Sequence, residues 1–167
     1  IASCLVGSEM CIRDRVLAGT ALQLLVERVI NENKGLLFGQ TLTLDGQRLD
    51  NAGGTLASQL AQTLTLTGAL NNRAGLLSSE AALTVKAASL DNTGGTLSSA
   101  GALKVTTDDA LINQSGSITT DAALTVVSGS LDNSQKGKLS GQGATKVTTG
   151  ALDNRQGGQL TSRDTLE

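Results

Sequence analysis

The residues of this sequence best suited to chemistry are carboxylates set at a regular interval: Asp50, Asp91, Asp132 and Asp153, with Asn71 and Ile112 in the same place in the intervening copies. A row of acids can hold a divalent cation or supply an acid/base pair. The spacing speaks against both. Catalytic carboxylate pairs need closely matched separations, whereas Asp50 and Asp91 fall two copies apart, about 10 Å if each copy is one layer of a stacked sheet. Ile112 also interrupts the row, and no Gly-Gly-x-Gly-x-Asp calcium nonapeptide is present. A solvated face is the reading these residues receive. Other devices lack a component: without His there is no Ser-His-Asp or Cys-His arrangement and no imidazole metal ligand, and no Gly-x-x-x-x-Gly-Lys phosphate loop occurs. No catalytic, cofactor-binding or metal-ligating residue is assigned, no cofactor is expected, and the chain is not read as an enzyme.

The cysteines give no second route to chemistry. Cys4, Cys11 and the single methionine, Met10, all lie in residues 4–15, CLVGSEMCIRDR, which resemble the translated end of a transposase sequencing adapter. Residues 1–15 are therefore read as non-native and set aside from fold reasoning. With Ile1 first and no signal peptide, the remainder, 16–167, reads as an internal fragment truncated at both ends.

The elements that would position any site follow from composition and repeat. The 167 residues include one Phe, no Trp, Tyr or Pro, and 20 Gly, so an ordinary globular core would be hard to fill. Leu, Ala, Thr, Ser, Asn and Asp favour short extended segments joined by tight turns. The formal charge is −2 and the Lys and Arg residues are scattered, which disfavours nucleic acid as a partner. No apolar run reaches the roughly 20 residues of a membrane-spanning helix, so membrane insertion is not expected.

A triplet recurs as Val29-Ile30-Asn31, Leu49-Asp50-Asn51, Leu70-Asn71-Asn72, Leu90-Asp91-Asn92, Leu111-Ile112-Asn113, Leu131-Asp132-Asn133 and Leu152-Asp153-Asn154, with successive Asn residues 20 or 21 apart. A Gly-x-Leu or Gly-x-Ile element follows each: Gly35, Gly54, Gly75, Gly95, Gly116, Gly137 and Gly158. The Gly comes three residues after the Asn in four copies and four after Asn31, Asn133 and Asn154, as a surface turn tolerating one insertion would allow. A third element is the alternating pair Leu22/Leu24, Leu42/Leu44, Leu64/Leu66, Leu83/Val85, Leu103/Val105 and Leu124/Val126, with Thr145/Val147 as a weaker copy and Leu166 opening the next.

Three short strands per repeat predict one triangular coil of a parallel β-helix, each strand pairing with its counterpart about 4.8 Å away in the next coil. The fold class is thus all-β, a solenoid of about seven coils of 20–21 residues, wound right-handed because parallel connections favour that hand. One coil cannot bury its own apolar face, so the coils must stack. Residues 16–30 also admit an amphipathic helix, with Leu22, Leu25, Val26 and Val29 near one face. The repeat register favours a first, degraded coil, which leaves Leu25 and Val26 least explained.

In Leu-x-Asn, alternation sends Leu and Asn to one face. If Leu points inward, Asn51, Asn72, Asn92, Asn113, Asn133 and Asn154 form an inward amide ladder with a structural role. The corner residues Gly54, Gly75, Gly95, Gly116, Gly137 and Gly158 are expected to supply backbone angles closed to other residues.

Copies such as Leu90-Asp91-Asn92-Thr93-Gly94-Gly95-Thr96-Leu97 followed by Leu103-Lys104-Val105 resemble the haemagglutinin-type repeats of two-partner-secreted exoproteins, the filamentous haemagglutinins and contact-dependent growth-inhibition proteins. The resemblance covers residues 21–167. It implies a shaft segment of a secreted bacterial surface adhesin or inhibition exoprotein, carrying distal binding or toxin parts. The implied partners are an outer-membrane transporter and receptors on host cells or neighbouring bacteria. The Asn-Pro-Asn motifs of the family's secretion domain have no counterpart in this Pro-free chain, so none of their residues carries over. Two other readings are a module binding host glycans or receptors through one face, and a carbohydrate-active β-helix enzyme. Glycan sites commonly offer aromatic platforms, and Phe38 is the one aromatic residue.

Overall fold

The structure, a computed structural model, describes residues 3–11 and 15–167. Of the set-aside segment 1–15, residues 1–2 and 12–14 lie outside the described residues. Ser3–Cys11 forms a strand parallel to Ala21–Ile30, so the stack also takes in part of the segment set aside above.

All elements among the described residues are strands, and all pair in parallel. The Gly-x-Leu segments make an eight-stranded sheet: Arg15–Leu17, Leu36–Gly39, Thr55–Ser58, Leu76–Ser79, Thr96–Ser99, Ser117–Thr120, Lys138–Gly141 and Gln159–Ser162. The other two segments of each coil share a twelve-stranded sheet. In four coils they are separate strands, for example Leu83–Ala87 and Ser89–Asp91, whereas Ser3–Cys11, Ala21–Ile30, Leu124–Asp132 and Thr145–Asp153 run through the corner unbroken. The fold is a parallel β-solenoid of about seven turns.

Period-two alternation puts the aliphatic residues inside. Leu37, Leu56, Leu77, Leu97, Ile118 and Leu139 form one fully buried column, and Leu24, Leu44, Leu64, Val85, Val105 and Val126 another. A third runs through Val29, Leu49, Leu70, Leu90, Leu111 and Leu131. Each residue packs chiefly on its counterpart in the coils above and below. The core is a bundle of stacks along the axis.

Residues 16–30 are a coil and contain no helix. Leu22, Leu24, Val26 and Val29 point inward, and Leu25 is exposed on the outer face. The period-two alternation therefore accounts for Val26 without a helical face.

In one coil the register departs from the sequence expectation. The sequence sets Leu64/Leu66 beside Leu42/Leu44 and Leu83/Val85. The structure instead pairs Gln62 with Leu42 and Leu83, and Leu64 with Leu44 and Val85. Aligning by residue type would need steps of 22 and then 19 residues, whereas the observed ladders keep steps of 20 and 21. Continuous backbone pairing overrides the match between side chains.

Leu90 stacks between Leu70 and Leu111 and is 1% exposed, while Lys86 projects outward. Leu90→Ala is expected to lower unfolding stability by about 2–5 kcal/mol, and Lys86→Ala to change it by less than about 0.5 kcal/mol. Urea unfolding of the two variants checks this; equal midpoints would contradict the inward assignment of Leu90.

Candidate functional site

The densest set of ordered polar groups lies inside the solenoid. Asn31, Asn51, Asn72, Asn92, Asn113 and Asn133 are all fully buried, and Asn154 is half-buried. Each Nδ2 donates to the Oδ1 of the Asn one coil on: Asn31 to Asn51, Asn51 to Asn72, Asn72 to Asn92, Asn92 to Asn113 and Asn113 to Asn133 at 2.7 Å, and Asn133 to Asn154 at 2.8 Å. The same nitrogens reach backbone carbonyls of the following strands. Asn92 Nδ2, for example, donates to Gly95 O at 3.2 Å and Ser117 O at 3.4 Å. A primary amide has two N–H donors and one carbonyl acceptor, so this arrangement satisfies the group without water. The ladder runs in one sense along the axis. Its first member, Asn31, has a buried Oδ1 with no partner.

The ladder corrects the reason given for the corner glycines. Gly54, Gly75, Gly95, Gly116, Gly137 and Gly158 do not have positive φ. Their Cα atoms instead lie against the ladder: a Cβ on Gly95 would stand 2.6 Å from Asn92 Oδ1 and collide with the carbonyl oxygen of Asn72. The other five meet equivalent obstacles. Glycine is required there by close approach.

Positive φ falls on the residue before these glycines. In the turn Asn92-Thr93-Gly94-Gly95, Gly95 N donates to Asn92 O at 3.0 Å and Gly94 has φ +62°, as in a type II turn. Ala74 and Ser115 take the same place with φ +51° and +53°. Where the turn is one residue longer, both central residues have positive φ: Asn33 and Lys34, Gln135 and Lys136, Gln156 and Gly157. That is the pattern of a type I′ turn. The inserted residue changes the turn type and leaves the strands in register.

The acid row is more than a solvated face. Each acceptor caps the turn that follows it: Asp50 Oδ1 accepts from Ala52 N at 3.4 Å, Asn71 Oδ1 from Arg73 N at 3.1 Å, Asp91 Oδ1 from Thr93 N at 3.0 Å, and Asp132 and Asp153 from Ser134 N and Arg155 N at 3.0 Å. These are Asx turns. Asp50, 8% exposed, also accepts from Asn71 Nδ2 at 2.8 Å. Burial by itself would raise the pKa of Asp132, but hydrogen bonds from the Ser134 hydroxyl and backbone and from Gln114 outweigh it and hold the carboxyl below its ordinary range. Asp153 is lowered by the Arg155 side chain, then by its backbone N–H. Among the described residues no group of three or more His, Cys, Asp or Glu is placed to hold a metal ion. The carboxylates of this row are engaged by turn N–H groups and by neighbouring side chains.

Comparison with known families also finds a repeat in this chain. The family model of the haemagglutinin repeat matches residues 18–74, 61–115 and 108–167. The chain belongs to the haemagglutinin repeat family. Comparison with curated proteins and with solved structures gives no match. The match starts at residue 18, inside the first degraded coil, and family membership supports a structural repeat segment of an adhesin.

Within this haemagglutinin repeat, sequence reasoning missed a second buried polar column. Ser58, Ser79, Ser99 and Thr120 close the Gly-x-Leu strands, are 3–6% exposed, and bond the next corner. Ser58 Oγ and Ser79 Oγ both donate to Leu60 O, at 2.7 and 2.8 Å, and Ser99 Oγ donates to Gly101 O at 2.7 Å. The signal was present as a hydroxyl two residues after each inward Leu or Ile of that strand. It is broken by Gly39 and Gly141, where a Cβ would crowd Leu22 or Thr145.

Three outcomes follow for the ladder and its turns. Asn92→Ala strands Asn113 Oδ1 and one donor of Asn72, so a loss of about 1–3 kcal/mol per orphaned group is expected, against a smaller loss for Asn154→Ala at the half-buried end. Ala74→Gly, which relieves a left-handed Ala, should raise stability by about 1 kcal/mol. Chemical denaturation measures both. Because the folded pKa of Asp132 lies below 3.8, its contribution is present above that pH and lost as pH falls through the lower folded value. Acid titration of Asp132→Asn should show a shallower loss of structure than the parent chain.

Proposed function

We propose that this chain is a length of shaft in a large secreted bacterial surface protein, an adhesin or a contact-dependent inhibition exoprotein, and that it serves to carry more distal binding or toxin parts away from the cell. The observation that carries this reading is the use of the polar groups. The asparagines are consumed by axial stacking, the acid row by turn caps, and the buried hydroxyls by corners. What is left is an object that grows along one axis by about 4.8 Å per coil. Such a part supplies length, which is a structural rather than a catalytic contribution.

The family resemblance supports export through an outer-membrane two-partner-secretion transporter and a place at the bacterial surface. Among the described residues no helix is long and apolar enough to cross a membrane. Direct recognition of a host glycan or receptor is the second reading. A shallow groove offers Ser78, Ser98 and Thr119 hydroxyls beside Glu80 and Asp121, with no aromatic platform in its lining.

Inserting further copies of residues 90–110 into a parent exoprotein should lengthen its projection in electron micrographs by about 4.8 Å per coil, with the affinity for its target unchanged. The chain alone should bind neither cells nor a glycan array. Saturable binding by the chain, lost on Ser98→Lys with the fold intact, would replace the shaft by the recognition reading.

A further inference from the structure

One inward column contains a residue that the stacking argument does not use. It runs Leu22, Leu42, Gln62, Leu83, Leu103, Leu124 and Thr145. Gln62 is 1% exposed, and neither its Oε1 nor its Nε2 has a hydrogen-bond partner. The same amide chemistry that is fully satisfied in the Asn ladder is unsatisfied here, because the residues directly above and below are Leu42 and Leu83, which offer no donor or acceptor. The corner hydroxyls of Ser58 and Ser79 donate to Leu60 O and form no bond with Gln62.

A second observation falls on the same coil. Leu60, in the corner that leads into Gln62–Leu66, is 48% exposed. This coil therefore places Leu60 outside and Gln62 inside, the reverse of the preceding coil, where Gln40 is outside and Leu42 inside. The coil also lies within the stack, paired on both sides, with the Asn51 to Asn72 bond intact beside it. End fraying does not account for it.

We infer that the coil of Gln62 is a built-in opening point, the place at which the solenoid first separates locally so that the Gln62 amide reaches water. In a linear array each coil is held by its two neighbours alone, so a fault in one coil lowers the cost of opening there without weakening the coils farther off. An unsatisfied buried amide is a fault of that kind, since opening restores its hydrogen bonds to solvent.

Backbone amide hydrogen exchange on the whole chain, read at residues 62–66 and at the equivalent residues 103–107, tests this. The strand of Gln62 is expected to exchange at least about tenfold faster than the strand of Leu103. Gln62→Leu should bring the two strands to similar rates. Leu103→Gln, which sets the same amide between Leu83 and Leu124, should create a second fast strand at 103–107 while leaving the rates at 62–66 as they were. Equal rates in the parent chain would overturn the inference, as would a Gln62→Leu variant in which 62–66 remains faster.

Discussion

The rest of this structure depends on one constraint: a buried primary amide must meet its copy one coil away at hydrogen-bonding distance. The Asn31 to Asn154 ladder holds that contact at 2.7 to 2.8 Å over six steps. The spacing is possible because the backbone ladders already place successive strands about 4.8 Å apart. The glycine that starts the next strand has to be bare, because the Asn oxygens and the carbonyl below occupy the room a Cβ would need. The turn between them absorbs the cost as a positive φ on the preceding residue, and a second one when the turn is longer. The Asp or Asn before the ladder Asn then caps that turn in five of the seven coils, with Ile30 and Ile112 standing there in the other two. Leu, Asp, Asn and Gly thus belong to a single device, repeated along the axis.

That device explains why the interior can be built from small residues with almost no aromatics. A globular core fills three dimensions and needs large side chains to do it. A solenoid core is filled one layer at a time, and a Leu needs only another Leu above and below. The consequence for function is that the inside is fixed by stacking, while the outward positions of each strand face solvent. Thr63, Thr84, Lys104 and Thr125 follow one another in a single outward column without disturbing the ladder beneath. Membership of the haemagglutinin repeat family agrees with a structural repeat segment.

Much of this was legible in the sequence because repetition amplifies weak signals. A lone Leu-x-Asn triplet says little, but six of them and one Val-Ile-Asn at steps of 20 or 21 residues specify the strand, its inward face and its neighbour. What escaped did so for identifiable reasons. Gln62 is masked in the sequence by Leu64 and Leu66, which match the residue types of the neighbouring copies, although the 20- and 21-residue steps lead to position 62. The hydroxyl column of Ser58, Ser79, Ser99 and Thr120 mixes residue types and has glycine gaps, so alternation alone gave it no weight. The glycines were assigned to turn angles because that is the commonest use of glycine. Contact with a side chain 20 residues away leaves no local mark in sequence. Leu25 and Val26, ambiguous between helix and strand in the sequence, are separated by the alternation of the strand Ala21–Ile30, and its corner at Glu27 and Arg28 then sets Val29 inward again.

The most direct test of the ladder is side-chain amide hydrogen exchange by nuclear magnetic resonance, comparing the Nδ2 protons of Asn72, Asn92 and Asn113 with those of Asn33, which is exposed in a turn. If the buried amides hold the coils together, the three ladder residues exchange orders of magnitude more slowly than Asn33, and their rates track the global unfolding of the stack. Ladder protons exchanging as fast as those of Asn33 in the folded chain would contradict the account.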